Sequence, residues 1–471
     1  MQLPEKLLRS LEGVKGFDRE SFERIHHSGE QVVSIRFNVR KAATAFDSGT
    51  KYPFDPRGTM VPWSISGQYL SYRPSFTFDP LFHAGLYYVQ EASSMFLEQV
   101  FRQCMDTSRP LKVLDLSAAP GGKSTHIQSL ISKESLLVSN EVIRPRANIL
   151  KDNIIKWGAA NVVVTNNDPK DFSKLENYFD VIVVDAPCSG SGLFRREPES
   201  IEEWSENSVT LCSQRQQRIL ADIMPALKKD GVLIYSTCSY SKEEDEDILD
   251  WLVKEFPVTS LPLVINNFSG IIETETADGA ISYRFFPDKI KGEGFYLGCI
   301  RKKEGGESFS IARNKNKVEA ATKKDIEIIS RWTKIENWQL VKNEHTVYAW
   351  PAELANEMNR VLGTLRVVYS GVRLGELLRD KFIPDHALAM SNLVADELPC
   401  IDLTYAQAIQ YLQRKELKIE DAQKGWSLVT YERQPLGWVN VLYNRINNYY
   451  PKELRILKDN AAGGERTASP G

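Results

Sequence analysis

Two short segments hold the residues whose types and spacing could do chemistry. They are Asp185-Ala186-Pro187-Cys188-Ser189-Gly190-Ser191-Gly192 and Tyr235-Ser236-Thr237-Cys238-Ser239-Tyr240. Each sets a cysteine among small residues, directly after an apolar run that reads as a strand. A single strand-end cysteine is ordinarily a small buried side chain. Two placed alike in one parallel sheet project toward the same face, where thiolates can attack an electron-poor carbon. Ser241 to Glu244 reads as a capping box, which puts Cys238 just ahead of a helix N-terminus, where thiol pKa values fall. The acidic run Glu243–Asp247 opposes that effect, so the sign of the net shift stays open.

A third segment, Val113 to Ile127 (VLDLSAAPGGKSTHI), reads as a strand turning through small residues directly into a helix. Such a turn lets backbone N–H groups approach a ligand closely. Gly122-Lys123-Ser124 imitates the end of a P-loop, but the glycine that motif requires five residues earlier is Ser117. Acids follow at the ends of successive strands: Glu141, Asp168 and Asp185. An acid about 20 residues beyond such a turn commonly hydrogen-bonds ribose hydroxyls. The GxGxxG fingerprint is absent, so the pattern points to a nucleoside without a pyrophosphate.

Two thiols beside a nucleoside crevice suit carbon chemistry on a pyrimidine. Carbon 5 of cytosine is a poor nucleophile. A thiolate adding at carbon 6 makes carbon 5 enamine-like and able to take a methyl group from a sulfonium. A base then removes the carbon-5 proton and the thiolate is expelled. Asp185 is placed to polarise the ring through N3 and the exocyclic amine edge. Asp185-Ala186-Pro187-Cys188 has a cysteine where amino-group methyltransferases carry a stacking aromatic, which favours attack at carbon over nitrogen.

These motifs need a parallel sheet to align them, and the pattern from Leu111 onward provides one. Strands are predicted at 112–116, 135–140, 161–165, 181–185 and 231–236, separated by helices at 122–131, 144–157 and 209–228. Strands joined by helices of this length mean crossover connections and an α/β fold. A helix at 243–255 follows, and a late strand at 292–300 is expected to close the sheet edge. Ahead of this core, helices are predicted at 3–11, 18–29 and 92–106 and a strand at 32–39. Residues 301–324 are polar and read as a linker. From Gln410 to Lys458 nine Lys/Arg stand against five Asp/Glu, with aromatics between them.

The whole chain is 471 residues with a net charge of -3, 42% hydrophobic and 26% charged. That is the composition of a globular protein, not of a disordered chain. Global charge gives no evidence for nucleic acid, although a local basic stripe is enough for binding. Six scattered cysteines without CxxC spacing support neither a zinc site nor a disulfide framework, so no metal is expected. No 18-residue apolar run and no signal-peptide pattern are found, which predicts a reduced cytoplasmic protein that does not enter a membrane.

Taken in order, APGGK, DAPCSGSG and STCS resemble the Sun-type (RsmB/RsmF/NSUN) RNA cytosine-5 methyltransferases, and most nearly the bacterial RsmF-like branch. Gly85–Ser94 is similar to the family segment ahead of the catalytic domain, and Arg36-Phe37-Asn38 to its N-terminal RNA-binding region. Ser117 departs from the cysteine many members carry. The resemblance implies a Rossmann-like S-adenosylmethionine-dependent methyltransferase core with an N-terminal α+β RNA-binding extension and a C-terminal PUA-like domain. It divides the chain into an extension at 1–102, the catalytic domain at 103–302, a linker at 303–324, an intermediate domain at 325–390, the PUA-like domain at 391–458 and a disordered tail at 459–471. S-adenosylmethionine is the implied cofactor, held by Ser117, Ala118, Ala119, Pro120, Gly121, Gly122 and Lys123 together with Glu141, Asp168 and Asp185. Cys238 is the implied nucleophile and Cys188 assists product release. The implied partner is RNA, either small-subunit ribosomal RNA or the assembling subunit, met by a monomer. The alternatives are the same chemistry on transfer RNA or on DNA, and a non-catalytic RNA-binding assembly factor. Trp426, Arg433, Trp438, Tyr443, Arg445, Tyr449 and Tyr450 would contact the RNA, although core packing is the commoner role for such aromatics.

Overall fold

The computed structural model describes residues 2–47, 50, 52–306, 318–420 and 422–459. The middle of the predicted linker and all but the first residue of the predicted tail lie outside the described residues. Three N-terminal strands, β1 (Val33–Phe37), β2 (Gly67–Leu70) and β3 (Tyr87–Val89), form an antiparallel sheet in the order β2-β1-β3. The predicted strand at 32–39 ends at Phe37, and Val39–Asp47 is a helix the sequence reading did not foresee.

The catalytic region follows with β4 (Lys112–Asp115), β5 (Leu136–Asn140), β6 (Val162–Thr165), β7 (Phe179–Asp185) and β8 (Leu227–Thr237), all parallel. Then come β9 (Val258–Ser260), β10 (Ile272–Glu275), β11 (Ile281–Phe285) and β12 (Phe295–Lys302). The parallel strands lie in the order β8-β7-β4-β5-β6. The chain winds outward from β4 to β6, then returns to the other side of β4 for β7 and β8. That reversal opens a crevice at the carboxyl ends of β4 and β7. Apolar positions alternate across the sheet. Val113, Leu137, Val164, Val183 and Ile234 enter one buried cluster, and Leu114, Val138, Val163, Ile182 and Leu233 the other. Both faces are covered, which is why these strands read as continuous apolar runs.

The expectation about the sheet edge fails. β12 pairs antiparallel with β8 but is not the edge, because β11 and β10 continue the sheet beyond it. The opposite edge comes from a distant part of the chain. After β13 (Glu319–Ala320), β14 (Trp338–Asn343) and β15 (Thr346–Pro351), strand β16 (Val367–Ser370) pairs antiparallel with β6. The helix Ala355–Thr364 just ahead of β16 buries Met358 and Val361 in the same cluster as Val163 and Ile182. Strands β17 (Val372–Leu378) and β18 (Lys381–Pro384) complete a second sheet with β13, β14 and β15. The last sheet holds β19 (Cys400–Asp402), β20 (Gly425–Tyr431), β21 (Gln434–Val441) and β22 (Ile446–Asn448).

Arg36 and Asn38 bind inward. The fully buried Arg36 guanidinium donates to Gln90 Oε1 at 2.8 Å and to Thr125 Oγ1 at 2.6 Å, bracing the N-terminal sheet against the helix Gly122–Leu130. Asn38 Nδ2 donates to the carbonyls of Gly85 and Trp157. These residues position the extension on the core. Among the described residues no helix is long and apolar enough to cross a membrane.

Candidate active site

The two cysteine segments leave the carboxyl ends of neighbouring strands. Asp185, the last residue of β7, pairs in register with Ser236 of β8. Cys188 and Cys238 therefore emerge side by side, and their Sγ atoms are 3.0 Å apart. Both side chains are half-buried. The contact needs the loops to touch: Gly192 N donates to Cys238 O at 2.7 Å, and Tyr240 N to Ser191 Oγ at 2.9 Å. A Cβ on Gly192 would lie 2.5 Å from that Cys238 oxygen, so only glycine fits. The hydrogen bond with Cys238 and burial push the Cys188 thiol well above its ordinary value, so Cys188 stays protonated at neutral pH.

Asp185 lies beside this pair. Its Oδ2 meets Lys123 Nζ at 2.8 Å and its Oδ1 accepts from Ser236 Oγ at 2.8 Å. Lys123 Nζ also stands 5.2 Å from the Phe295 ring centroid. The turn that delivers Lys123 hangs from the ends of the neighbouring strands. Ala118 N donates to Asn140 O, Arg146 Nη2 to Ala119 O and Asn153 Nδ2 to Pro120 O. Gly121 has φ +118°, a left-handed conformation that swings the chain into the helix Gly122–Leu130. The first-turn amides of that helix have no intrahelical acceptors.

The remaining predicted acids line the strand ends. Glu141 follows β5 and is buried; it accepts from Ile143 N at 2.9 Å and meets Arg146 at 3.6 Å. Asp168 caps the turn Pro169–Leu175 through Lys170 N. Asn140 ties the ends together, donating to the carbonyls of Leu116 and Asn167. Asp115, which the sequence reading passed over, is fully buried at the end of β4. Its Oδ2 accepts from Ser124 Oγ at 2.7 Å, while Oδ1 has no partner among the described residues. Burial holds this carboxyl up at about 7. A small-residue turn, open helix amides, carboxylate acceptors and an unpartnered buried oxygen fit a nucleoside with hydroxyl and amino donors and a carboxylate of its own.

The expected capping box does not form. Ser241 makes no side-chain cap, and Glu244 is turned the other way, toward the cysteine loops. The helix proper begins only at Glu246, so its N-terminus does not abut Cys238. The acidic run is likewise divided. Asp245 and Glu246 pair with Arg284, Asp247 pairs with Lys242 and Glu243 is exposed, while Glu244 is buried against the serines that follow the two cysteines.

Other cavities are separate from this chemistry. A cleft of about 820 Å³ lies at the amino end of β6, lined by Arg40, Trp157, Asn161, Trp338 and Arg433 among others. The predicted C-terminal contact residues divide: Trp438 and Tyr450 are buried and Trp426 packs on Tyr449, whereas Tyr443 is 89% exposed under Lys424.

A switch-point crevice with these features defines the α/β class of S-adenosylmethionine-dependent methyltransferases, and comparison with known proteins agrees. Residues 103–301 match the family described as 16S rRNA methyltransferase RsmB/F. Residues 3–92, 327–391 and 398–456 match the RsmF N-terminal domain, first C-terminal domain and PUA domain. The chain belongs to the RsmB/F methyltransferase family, in its RsmF branch, and S-adenosylmethionine is the cofactor of that methyltransferase class. It is 29% identical over 459 residues to the ribosomal RNA small subunit methyltransferase F of Pectobacterium atrosepticum, covering 92% of this chain and 91% of that protein. A methyltransferase homolog protein from Pyrococcus horikoshii is 26% identical with a TM-score of 0.50, covering 64% of this chain and all of the other. NSun6 from the same organism, solved with SFG, shares the fold at 18% identity and a TM-score of 0.52, over 64% of this chain and 98% of its own.

Proposed function

We propose that this enzyme methylates carbon 5 of a cytosine in small-subunit ribosomal RNA through a covalent Cys238 adduct. The observation that carries this reading is the 3.0 Å contact between Cys188 and Cys238 at the ends of adjacent parallel strands. The relatives' name, a small-subunit ribosomal RNA methyltransferase, supports the substrate class.

In this reading the cytosine leaves its stack to enter the crevice. Asp185 meets the N3 and amino edge of the ring. Cys238 attacks carbon 6, and the ring electrons move to make carbon 5 nucleophilic. S-adenosylmethionine, when bound, supplies an electrophilic methyl group on a sulfonium. Ser117, Ala118, Ala119, Pro120, Gly121, Gly122 and Lys123 hold that cofactor with Glu141, Asp168 and Asp185. Release requires the carbon-5 proton to leave, the 5,6 double bond to re-form and the carbon–sulfur bond to break. Cys188 assists this step.

The test is methyl incorporation by purified protein into small-subunit ribosomal RNA, free and in assembled subunits, followed by bisulfite mapping. The expected product is 5-methylcytosine at a defined position. A nitrogen- or ribose-methylated product, or no incorporation into either substrate, would overturn the reading.

A further inference from the structure

The residue that sets the thiol pair is neither cysteine. Glu244 is fully buried, and its carboxylate gathers both cysteine loops. Its Oε1 accepts from Ser189 N at 2.8 Å and from Gln216 Nε2 at 3.2 Å. Its Oε2 accepts from Ser189 Oγ and from Ser239 Oγ, the latter at 2.7 Å. Ser189 follows Cys188 and Ser239 follows Cys238, so one carboxylate holds the residue after each thiol. Gln216, from the long helix Glu206–Ile223, also donates to Pro187 O, just ahead of Cys188. Glu244 is itself pinned, because its carbonyl accepts from the buried Tyr235 hydroxyl at 2.6 Å.

We propose that Glu244 is a positioning residue for the thiol pair, holding Cys188 and Cys238 at reacting distance through Ser189 and Ser239. A carboxylate suits the task better than an amide. It faces three hydrogen-bond donors from the two serines, whereas a glutamine offers one acceptor oxygen and turns an NH2 group toward the rest. Its charge also acts on the sulfurs. A buried negative group disfavours a thiolate nearby, and Glu244 is among the groups that raise Cys188. The same carboxylate therefore sets the distance between the sulfurs and helps keep the proton on Cys188.

This inference rests on the thiol reading of the active site, and its test separates the two. Glu244→Gln, Ser189→Ala and Ser239→Ala are compared with the parent and with Cys238→Ala. Small misplacements of reacting groups cost about 100-fold in rate. Glu244→Gln should lower kcat on that order, with KM for S-adenosylmethionine unchanged, and each serine variant should lower it less. Removing the charge should move the pH profile of thiol alkylation to lower pH, so the thiols become more reactive while turnover falls. A purely structural residue would not produce these opposed changes. Full turnover and an unmoved alkylation profile in Glu244→Gln, with Cys238→Ala inactive, would overturn the positioning role alone. Turnover retained in Cys238→Ala would overturn the thiol reading beneath it.

Discussion

Among the described residues two pairs of cysteines stand close enough to perturb one another, and only one pair has the surroundings of a site. Cys104, at the end of the helix Leu97–Cys104, neighbours Cys299 in β12, and burial together with that neighbouring thiol pushes Cys299 well up. Cys188 is pushed up by the same two causes in its pair with Cys238. The neighbourhoods differ. Cys299 sits mid-strand opposite Ile234, inside the apolar cluster with Leu297 and Leu263. Cys188 and Cys238 sit past the ends of their strands, beside the Lys123–Asp185 pair and the Glu244 carboxylate. Proximity of sulfurs is therefore no mark of function by itself. Position at a strand end, with charged groups in reach, is what sets the proposed reactive pair apart from the packed one.

The largest expected effect breaks this symmetry outright. Cys238→Ala should bring methyl incorporation to background with no covalent RNA complex, while Cys299→Ala should turn over like the parent. Incorporation assays on both variants decide it, and equal loss in both would erase the distinction. Next, Cys188→Ala should allow attack but stall release, so a denaturant-resistant protein–RNA band accumulates on gels. The reversed pattern, with the band in Cys238→Ala, would exchange the two roles.

A third prediction sharpens the contrast through the acids that follow β5 and β6, at the same carboxyl end of the sheet as the first pair. Glu141→Ala and Asp168→Ala should each weaken S-adenosylmethionine binding by about 1.5–3 kcal/mol, the usual value of a hydrogen bond to a charged group. Calorimetry showing unchanged affinity in both would remove them from the crevice. Fourth, Cys299→Ala should cost about 1 kcal/mol of stability through a small cavity, seen as a lowered denaturation midpoint at unchanged kcat. A fifth prediction concerns Asp115, the buried acid beneath the first site. Its folded pKa of about 7 lies above the ordinary 3.8, so the native state keeps a proton the unfolded chain has lost. The stability this supports is full below the lower value and is lost as pH rises through the higher one. Asp115→Asn lacks that loss, so its melting temperature should gain on the parent's between about pH 5 and about pH 8.

The contrast also explains what was readable in the sequence. Strand-end cysteines and acids stand out because an apolar run followed by small residues marks a parallel strand and its carboxyl-end loop, which is why Cys188, Cys238 and the Ser117–Lys123 turn could be placed. Glu244 could not. In a run of five acids from Glu243 to Asp247, spacing favours a cap, and only tertiary contacts reveal that this one turns to Ser189 and Ser239. Arg36 lies in the segment that resembles the family's N-terminal RNA-binding region, and only tertiary contacts reveal that Thr125 and Gln90 satisfy it in the core. The helix Val39–Asp47 was missed because Val32–Val39 was read as one strand running through its start.

Strand β16 was beyond local pattern altogether, and it constrains how the molecule comes into being. Asn167 Nδ2 donates to Arg366 O across 199 residues of chain, and β16 beside them seals the open edge of β6. During synthesis the catalytic strands emerge long before this partner. The nascent sheet must wait with an unpaired edge, the state most exposed to wrong pairing. Native contacts of such sequence separation form slowly, because chain entropy is lost before they form. The fold thus ties the catalytic sheet to the arrival of its C-terminal half, so a chain cut short in translation would lack the strand that completes the sheet.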